Sequence, residues 1–269
     1  KGSYTSELME EAKAFSHTAM IVITRVGGEG ADLPTDVSAV TYTDNSTEYK
    51  DFEPGEHYLQ LSKTEKDLVD LVCSNFDNVV LVYNGANAME LGFVNEYSQI
   101  KSAIWCPGTG QSGFEALGEI VSGTVNPSGK ASDTFVTDLT ATPHYNNFGS
   151  FVYDNMSEFA GKAFKGEATY PSFINYVDGI YVGYRFYETA AEEGLIDYNK
   201  TVLYPFGYGL TYTSFSQEMG AITEADGTIS FDVTVTNTGD KAGKDVVEVY
   251  YNPPYTNGGI EKASANLIA

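Results

Sequence analysis

The chain is poor in positive charge. Fifteen lysines and arginines stand against 37 aspartates and glutamates in 269 residues, a formal net charge of −22 with a pI near 4.3. Such a surface repels a polyanion, and no basic cluster offers phosphate contacts, which excludes nucleic acid as a partner. Anionic membrane surfaces are disfavoured for the same reason, and no apolar run approaches the roughly 20 residues of a membrane span. Cysteine is scarce too. Cys73 lies in a helical pattern and Cys106 at the end of a strand-like run, which predicts two buried, unpaired thiols rather than a disulfide. No Cys/His cluster has zinc spacing. His17, His57 and His144 are scattered, each reading as structural or solvated. No glycine-rich phosphate loop follows a strand, so no nucleotide cofactor is expected, and no metal. Residues 1–24 carry acids where a signal peptide would be apolar, although secretion stays open. Neutral substrates remain, and sugars are the obvious neutral polar class.

What is present suits a protein with a real core: 42% hydrophobic and 13% aromatic residues. The length allows one large domain or two ordinary ones. Leu8, Met9, Ala12 and Phe15 fall at helical spacing, and a strand follows at Met20–Thr24. Some thirty residues from Ala31 to Gln60 have no strong period; a loop that long beside a candidate site reads as a lid or pocket wall. Ser62-Lys63-Thr64-Glu65 has capping-box spacing and opens a helix with Leu68, Leu71, Val72 and Phe76 on one face. Val79–Tyr83 is continuously apolar, as in a strand buried on both faces. A short helical stretch is expected at Ala86–Val94, a strand at Lys101–Trp105 and a helix at Gln111–Ser122. This alternation predicts an α/β fold: an α/β/α sandwich around a mostly parallel sheet, with N-terminal strands possible upstream.

From Asn126 the texture changes. Asn126-Pro127-Ser128-Gly129-Lys130 is turn chemistry. Thr137–Glu188 is rich in Tyr, Phe, Asn and Gly with little period, and Tyr181–Tyr187 reads as a short aromatic strand. In the tail, Ile229, Phe231, Val233 and Val235 alternate with polar residues, then come the turn Asn237–Asp240 and a second alternation at Val247, Val249 and Tyr251. A β-sandwich hairpin is the natural reading. Such a sandwich needs about seven strands and roughly 100 residues, so the expectation is a chain cut at both ends: 1–214 an α/β sandwich, 215–269 a partial all-β sandwich.

The stretch around which the chain is organised is Arg25-Val26-Gly27-Gly28-Glu29-Gly30-Ala31-Asp32, directly after the first strand. Glycines allow a sharp turn and close ligand approach. In parallel α/β sheets, ligands bind beyond the carboxyl ends of the strands. Glu29 is therefore a candidate catalytic carboxyl, the alternative being a tight turn with a solvated glutamate.

Four stretches together resemble the C-terminal α/β sandwich domain of glycoside hydrolase family 3: Gly28–Asp32, Asn126–Lys130, Ile180–Tyr187 and Pro205–Tyr212. A fifth, Val233–Gly239, resembles the start of the family's fibronectin-III-like domain. The resemblance implies a retaining exo-acting β-glycosidase, β-glucosidase first, with β-xylosidase or a non-catalytic carbohydrate-binding module as alternatives. It implies Glu29 as acid/base, a small β-linked saccharide as substrate, and a nucleophilic aspartate on a (β/α)8 barrel that nothing in this chain matches. Where family members often carry an arginine after the motif, Leu33 stands here. Glu48, Glu53 and Glu56 on the long loop compete with Glu29 for the acid role. Asp32 and Arg25 are the candidate substrate-binding residues. Asp32 could instead cap a turn, and Arg25 could pair with an acid near the site or form a surface salt bridge. Trp105 reads as core rather than a sugar platform, and Tyr181, Tyr184 and Tyr187 as packing between domains rather than sugar stacking.

Overall fold

The computed structural model describes residues 4–30, 32–149, 151–159, 161–162, 168–169 and 173–269. Ala31, inside the glycine–acid motif and at the start of the long loop, lies outside the described residues, as do parts of the Thr137–Glu188 region.

The first half alternates as expected: α1 (Ser6–Phe15), β1 (Thr18–Thr24), α2 (Lys63–Cys73), β2 (Asn78–Asn84), β3 (Ile100–Trp105) and α3 (Phe114–Val121). The Ser62 hydroxyl accepts from the Glu65 amide while the Glu65 carboxylate accepts from the Ser62 amide, so the capping box forms and fixes where α2 begins. The three strands pair in parallel in the order β1-β2-β3, with Ile21 opposite Leu81 and Ile23 opposite Tyr83. β2 is central, and Val79, Leu81, Val82 and Tyr83 are all buried. Val69 and Cys73 of α2 pack on the Ile21–Ile23–Leu81–Tyr83 face, and Met9 and Ala12 of α1 join them. Each fully buried Val, Leu or Ile side chain of this layer contributes about 1.5–3 kcal/mol by leaving water. Only part of the expected α1 stripe is used, since Leu8 and Phe15 are exposed. Between β2 and β3 the expected helical stretch reduces to a 3-10 turn at Gly92–Asn95. Both cysteines are free; Cys73 is buried as expected, but Cys106 is partly exposed. Trp105 is core: it meets Phe135 edge-on and donates its Nε1–H to the Gly85 carbonyl at 2.8 Å.

The middle of the chain holds β4 (Phe135–Val136), α4 (Pro143–Asn147), β5 (Gly161–Lys162), β6 (Ala168–Thr169), α5 (Tyr184–Glu192), α6 (Tyr198–Thr201) and β7 (Val202–Tyr204). β4 pairs antiparallel with β7. The aromatic strand expected at Tyr181–Tyr187 is corrected: from Tyr184 the backbone is helical. Gly183 takes φ +62° just before α5, and Tyr187 and Ala190, three apart, are its buried residues. Helical spacing across Tyr184, Tyr187 and Ala190 outweighs the β-propensity of three tyrosines and a phenylalanine.

The tail carries β8 (Phe215–Met219), β9 (Thr223–Ala225), β10 (Thr228–Ser230), β11 (Val233–Asn237), β12 (Tyr250–Tyr251) and β13 (Asn266–Leu267). Its strands are antiparallel, but the expected hairpin across Asn237–Asp240 is not formed. β11 pairs with β8, and β12 with β13. β9 and β10 are joined by Asp226-Gly227, both at positive φ, the two-residue turn that suits a hairpin. The alternation is kept only in its middle: Phe231 and Val233 are partly buried between exposed polar residues, whereas Ile229 and Val235 are exposed.

Asn126–Lys130, read as a turn, forms a joint with the Pro205–Tyr212 stretch and the tail. The Asn126 side chain donates to Ala242 O and accepts from the Thr211 hydroxyl and the Tyr212 amide. Lys130 donates to Gly209 O and pairs with Asp245. Gly209 is required here, because a Cβ would lie 2.2 Å from Gly129 O. Gly209→Ala is therefore expected to destabilise the chain by about 1–3 kcal/mol, read as a lower urea midpoint; an unchanged midpoint would show that the joint does not constrain this backbone.

Candidate functional site

The carboxyl ends of β1 and β2 open onto a cleft of about 570 Å³. Gly27, Gly28 and Asp32 line it from the turn after β1, and Ala86, Asn87 and Ala88 from the turn after β2. This is where a parallel sheet places its ligands. The turn is shaped by glycine. A Cβ on Gly27 would meet the Leu33 side chain at 2.9 Å, and Gly30 takes φ +73°. Glu29 stands exposed between the lining residues Gly28 and Asp32. Asp32 is exposed as well. Neither the Glu29 side chain nor the competing acids Glu48, Glu53 and Glu56 are among the cleft's lining residues; Glu29 differs in standing on the turn whose neighbours Gly28 and Asp32 do line it, whereas Glu56 accepts the Glu53 amide at 2.6 Å.

Of the readings the sequence allows for Arg25, pairing with an acid is the one seen: it is 5% exposed, and all five of its N–H groups are spent inside the protein. Nε donates to Tyr58 O, Nη1 to Thr24 O and Glu65 Oε1, and Nη2 to Gln60 O and Glu65 Oε2. The pair with Glu65 is bidentate, at 2.6 Å on each arm. Burial opposes the charge, but the bonds and charge of Glu65 outweigh it and hold Arg25 above its ordinary value. No donor is left for a sugar, so the surface salt bridge and the direct sugar contact both give way to a buried pair. Glu65 went unnoticed as its partner because its capping-box role already explained it.

The long loop is a wall. Pro34, Thr35, His57 and Leu59 line the cleft, and the loop is packed from within. Asp51, 1% exposed, accepts from the Tyr42 hydroxyl, the Asn45 amide and side chain, and the Thr64 hydroxyl at the start of α2. Tyr42, Phe52 and Tyr58 pack ring against ring beside it. Desolvation pushes the Asp51 carboxyl up, but these hydrogen bonds outweigh it and hold it below its ordinary value. Nothing periodic signals this order, because the loop is held by one buried acid rather than by an apolar stripe.

The histidines divide. His17 is exposed. His57 Nδ1 accepts the Leu59 amide, which leaves Nε2 to donate to Glu90 at 3.1 Å; Glu90 also accepts the Leu139 amide. His144 also lines the cleft, and burial holds it below its ordinary value despite the Asp178 and Asp133 charges. Sequence reasoning missed Glu90, Asp133 and His144 as neighbours of the cleft; they come from distant segments that only the fold brings together. Tyr187 is buried on the cleft wall. Tyr184 and Tyr181 hold the tail: the Tyr184 hydroxyl accepts the Leu267 amide, and the Tyr181 hydroxyl donates to Glu261. Among the described residues, no group of three or more His, Cys, Asp or Glu is placed to hold a metal, and no helix is long and apolar enough to cross a membrane.

Residues 5–212 match the glycosyl hydrolase family 3 C-terminal domain. Beta-glucosidase A of Butyrivibrio fibrisolvens is 32% identical over 92% of this chain, which covers 29% of that protein. A beta-glucosidase of Ruminococcus albus is 28% identical over 92% of this chain, covering 21% of that protein. Among solved structures, a beta-glucosidase of Paenibacillus barengoltzii superposes with a TM-score of 0.70 at 29% identity, over 98% of this chain and 24% of that one. Beta-glucosidase 3B of Thermotoga neapolitana in complex with glucose also gives 0.70, at 26% identity over 98% of this chain and 31% of that one. The chain thus spans under a third of the length of these relatives.

The Asp51 hub predicts a pH dependence. A carboxyl whose pKa is lowered by folding adds stability above its ordinary value of 3.8, and that stability is lost as pH falls into the acid range. Asp51→Asn should cost about 1–3 kcal/mol at neutral pH and make the acid limb of stability against pH shallower. An acid limb as steep as the wild type's would contradict the assignment.

Proposed function

Since the chain belongs to glycosyl hydrolase family 3, we propose that it forms the acid/base-bearing part of a retaining exo-acting β-glycosidase, β-glucosidase before β-xylosidase, cleaving small β-linked saccharides. The observation that supports this best is Glu29, exposed at the carboxyl edge of the parallel sheet between residues that line the cleft. Its counterpart is a nucleophilic aspartate on a (β/α)8 barrel, brought to the cleft by a separate domain. The division of this chain at 214/215 belongs to the same proposal; the family match ends at 212 and the antiparallel tail strands begin at Phe215, which supports it.

The chemistry follows from two carboxyls about 5–5.5 Å apart. The aspartate attacks the anomeric carbon while Glu29 gives its proton to the departing oxygen. Glu29, now a carboxylate, then takes a proton from water, which releases the sugar from the aspartate. The first step uses the proton of Glu29, and closure of the barrel over the exposed turn brings that carboxyl and the nucleophile to the same glycosidic bond. Asp32, on the same turn and lining the cleft, is the residue we assign to sugar hydroxyls. A carbohydrate-binding module without catalysis is the second reading, and it requires no barrel.

In the barrel-bearing enzyme, Glu29→Ala should slow glycosides with poor leaving groups by about 10²–10⁴-fold and activated aryl glycosides far less. Equal losses on both would contradict the acid role. The purified 269-residue chain should not turn over an aryl β-glucoside; measurable turnover would show that a nucleophile lies within it.

A further inference from the structure

The turn that carries Glu29 contains Gly27, Gly28 and Gly30, so its own residues do little to fix its direction. Direction has to come from what holds its two ends. At the far end the Leu33 side chain packs over Gly27. At the near end stands Arg25, whose amide extends the β1–β2 ladder to Asn84 O at 3.0 Å. Its side chain is not among those that line the cleft. The guanidinium reaches Tyr58 O and Gln60 O, while the alternating residues His57 and Leu59 line the cleft. The Tyr58 amide in turn donates to Pro34 O, closing the neck of the long loop. Glu65 anchors the cation to the first turn of α2, and its Oε2 also accepts the Ser62 amide.

We propose that Arg25 and Glu65 are a positioning pair: one buried cation fixes both the root of the Glu29 turn and the opposite wall of the cleft, so that the distance between them is set by a single ion pair. The proposal rests on the reading of Glu29 given above. Neither Arg25 nor Glu65 touches substrate; they act through Glu29 and through the loop. A guanidinium suits this task because its planar fork serves a carboxylate and three carbonyls at once. A lysine keeps the charge but cannot reproduce that set of bonds.

The test uses Arg25→Lys and, as a milder second variant, Glu65→Asp, with Glu29→Ala measured beside them. In the barrel-bearing enzyme, Arg25→Lys should lower kcat for a poor leaving group on the order of 10- to 100-fold. KM should stay nearly constant, and an activated aryl glycoside should lose much less. In the 269-residue chain, the same variant should speed amide hydrogen exchange in both 26–35 and 57–61 while the Val79–Tyr83 strand stays protected. Losses equal for both leaving groups and proportional to the unfolded fraction, with exchange in those two segments unchanged, would overturn the proposal for either variant. Should Glu29→Ala itself show no leaving-group preference while exchange rises in both segments, the acid assignment falls and the pair stands as the anchor of the cleft wall.

Discussion

The carboxyl edge of the sheet depends on one buried guanidinium. Where β1 ends, the carbonyls of Thr24, Tyr58 and Gln60 converge on one side chain. Arg25 donates to them all, and Glu65 neutralises the charge that the burial would otherwise make intolerable. Removing one partner of such a pair costs about 3–5 kcal/mol, mostly because the other is stranded. The cleft, the glycine turn and the long wall are all arranged around this point.

The wall shows how a long loop can be ordered without secondary structure. Asp51 gathers the loop's own donors and ties them to Thr64 at the start of α2, one residue before Glu65. Two buried charges of opposite sign therefore meet the same helix terminus through successive residues. The anionic one accepts hydrogen bonds from neutral donors, and the cationic one donates to carbonyls and a carboxylate. Stability of this edge and shape of the cleft rest on the same few side chains.

Much of the fold was legible in the sequence, for reasons that differ by element. β2 announced itself because a strand buried on both faces must be apolar throughout, and α2 because Ser62 and Glu65 satisfy each other's backbone at the right spacing. The α5 helix is hard to see because three of the four residues in its first turn are aromatic and favour strands, and the signal that overrides them, Gly183 followed by a period of three, is short. The tail pairing was misassigned because alternation marks a strand but does not name its partner. Asp226-Gly227 is the local signal whose hairpin forms there. At the site, the position of the Glu29 turn followed from strand and glycine pattern alone. The environment of Arg25 did not, because its acceptors are carbonyls, which carry no side-chain signature, and Glu65 lies forty residues away. Asp133 and His144 reach the cleft only through tertiary packing, and Glu90 stands behind it as the partner of His57.

The central claim is that Glu29 presents its carboxyl to a departing glycosidic oxygen. The most direct measurement is a crystal structure of the complete barrel-bearing enzyme with a non-hydrolysable thio-linked disaccharide in its cleft. The account predicts the Glu29 carboxyl within hydrogen-bonding distance of the bridging sulfur, and about 5–5.5 Å from the nucleophilic aspartate. A ligand held with Glu29 turned to bulk solvent and another acid at the bridging atom would contradict it.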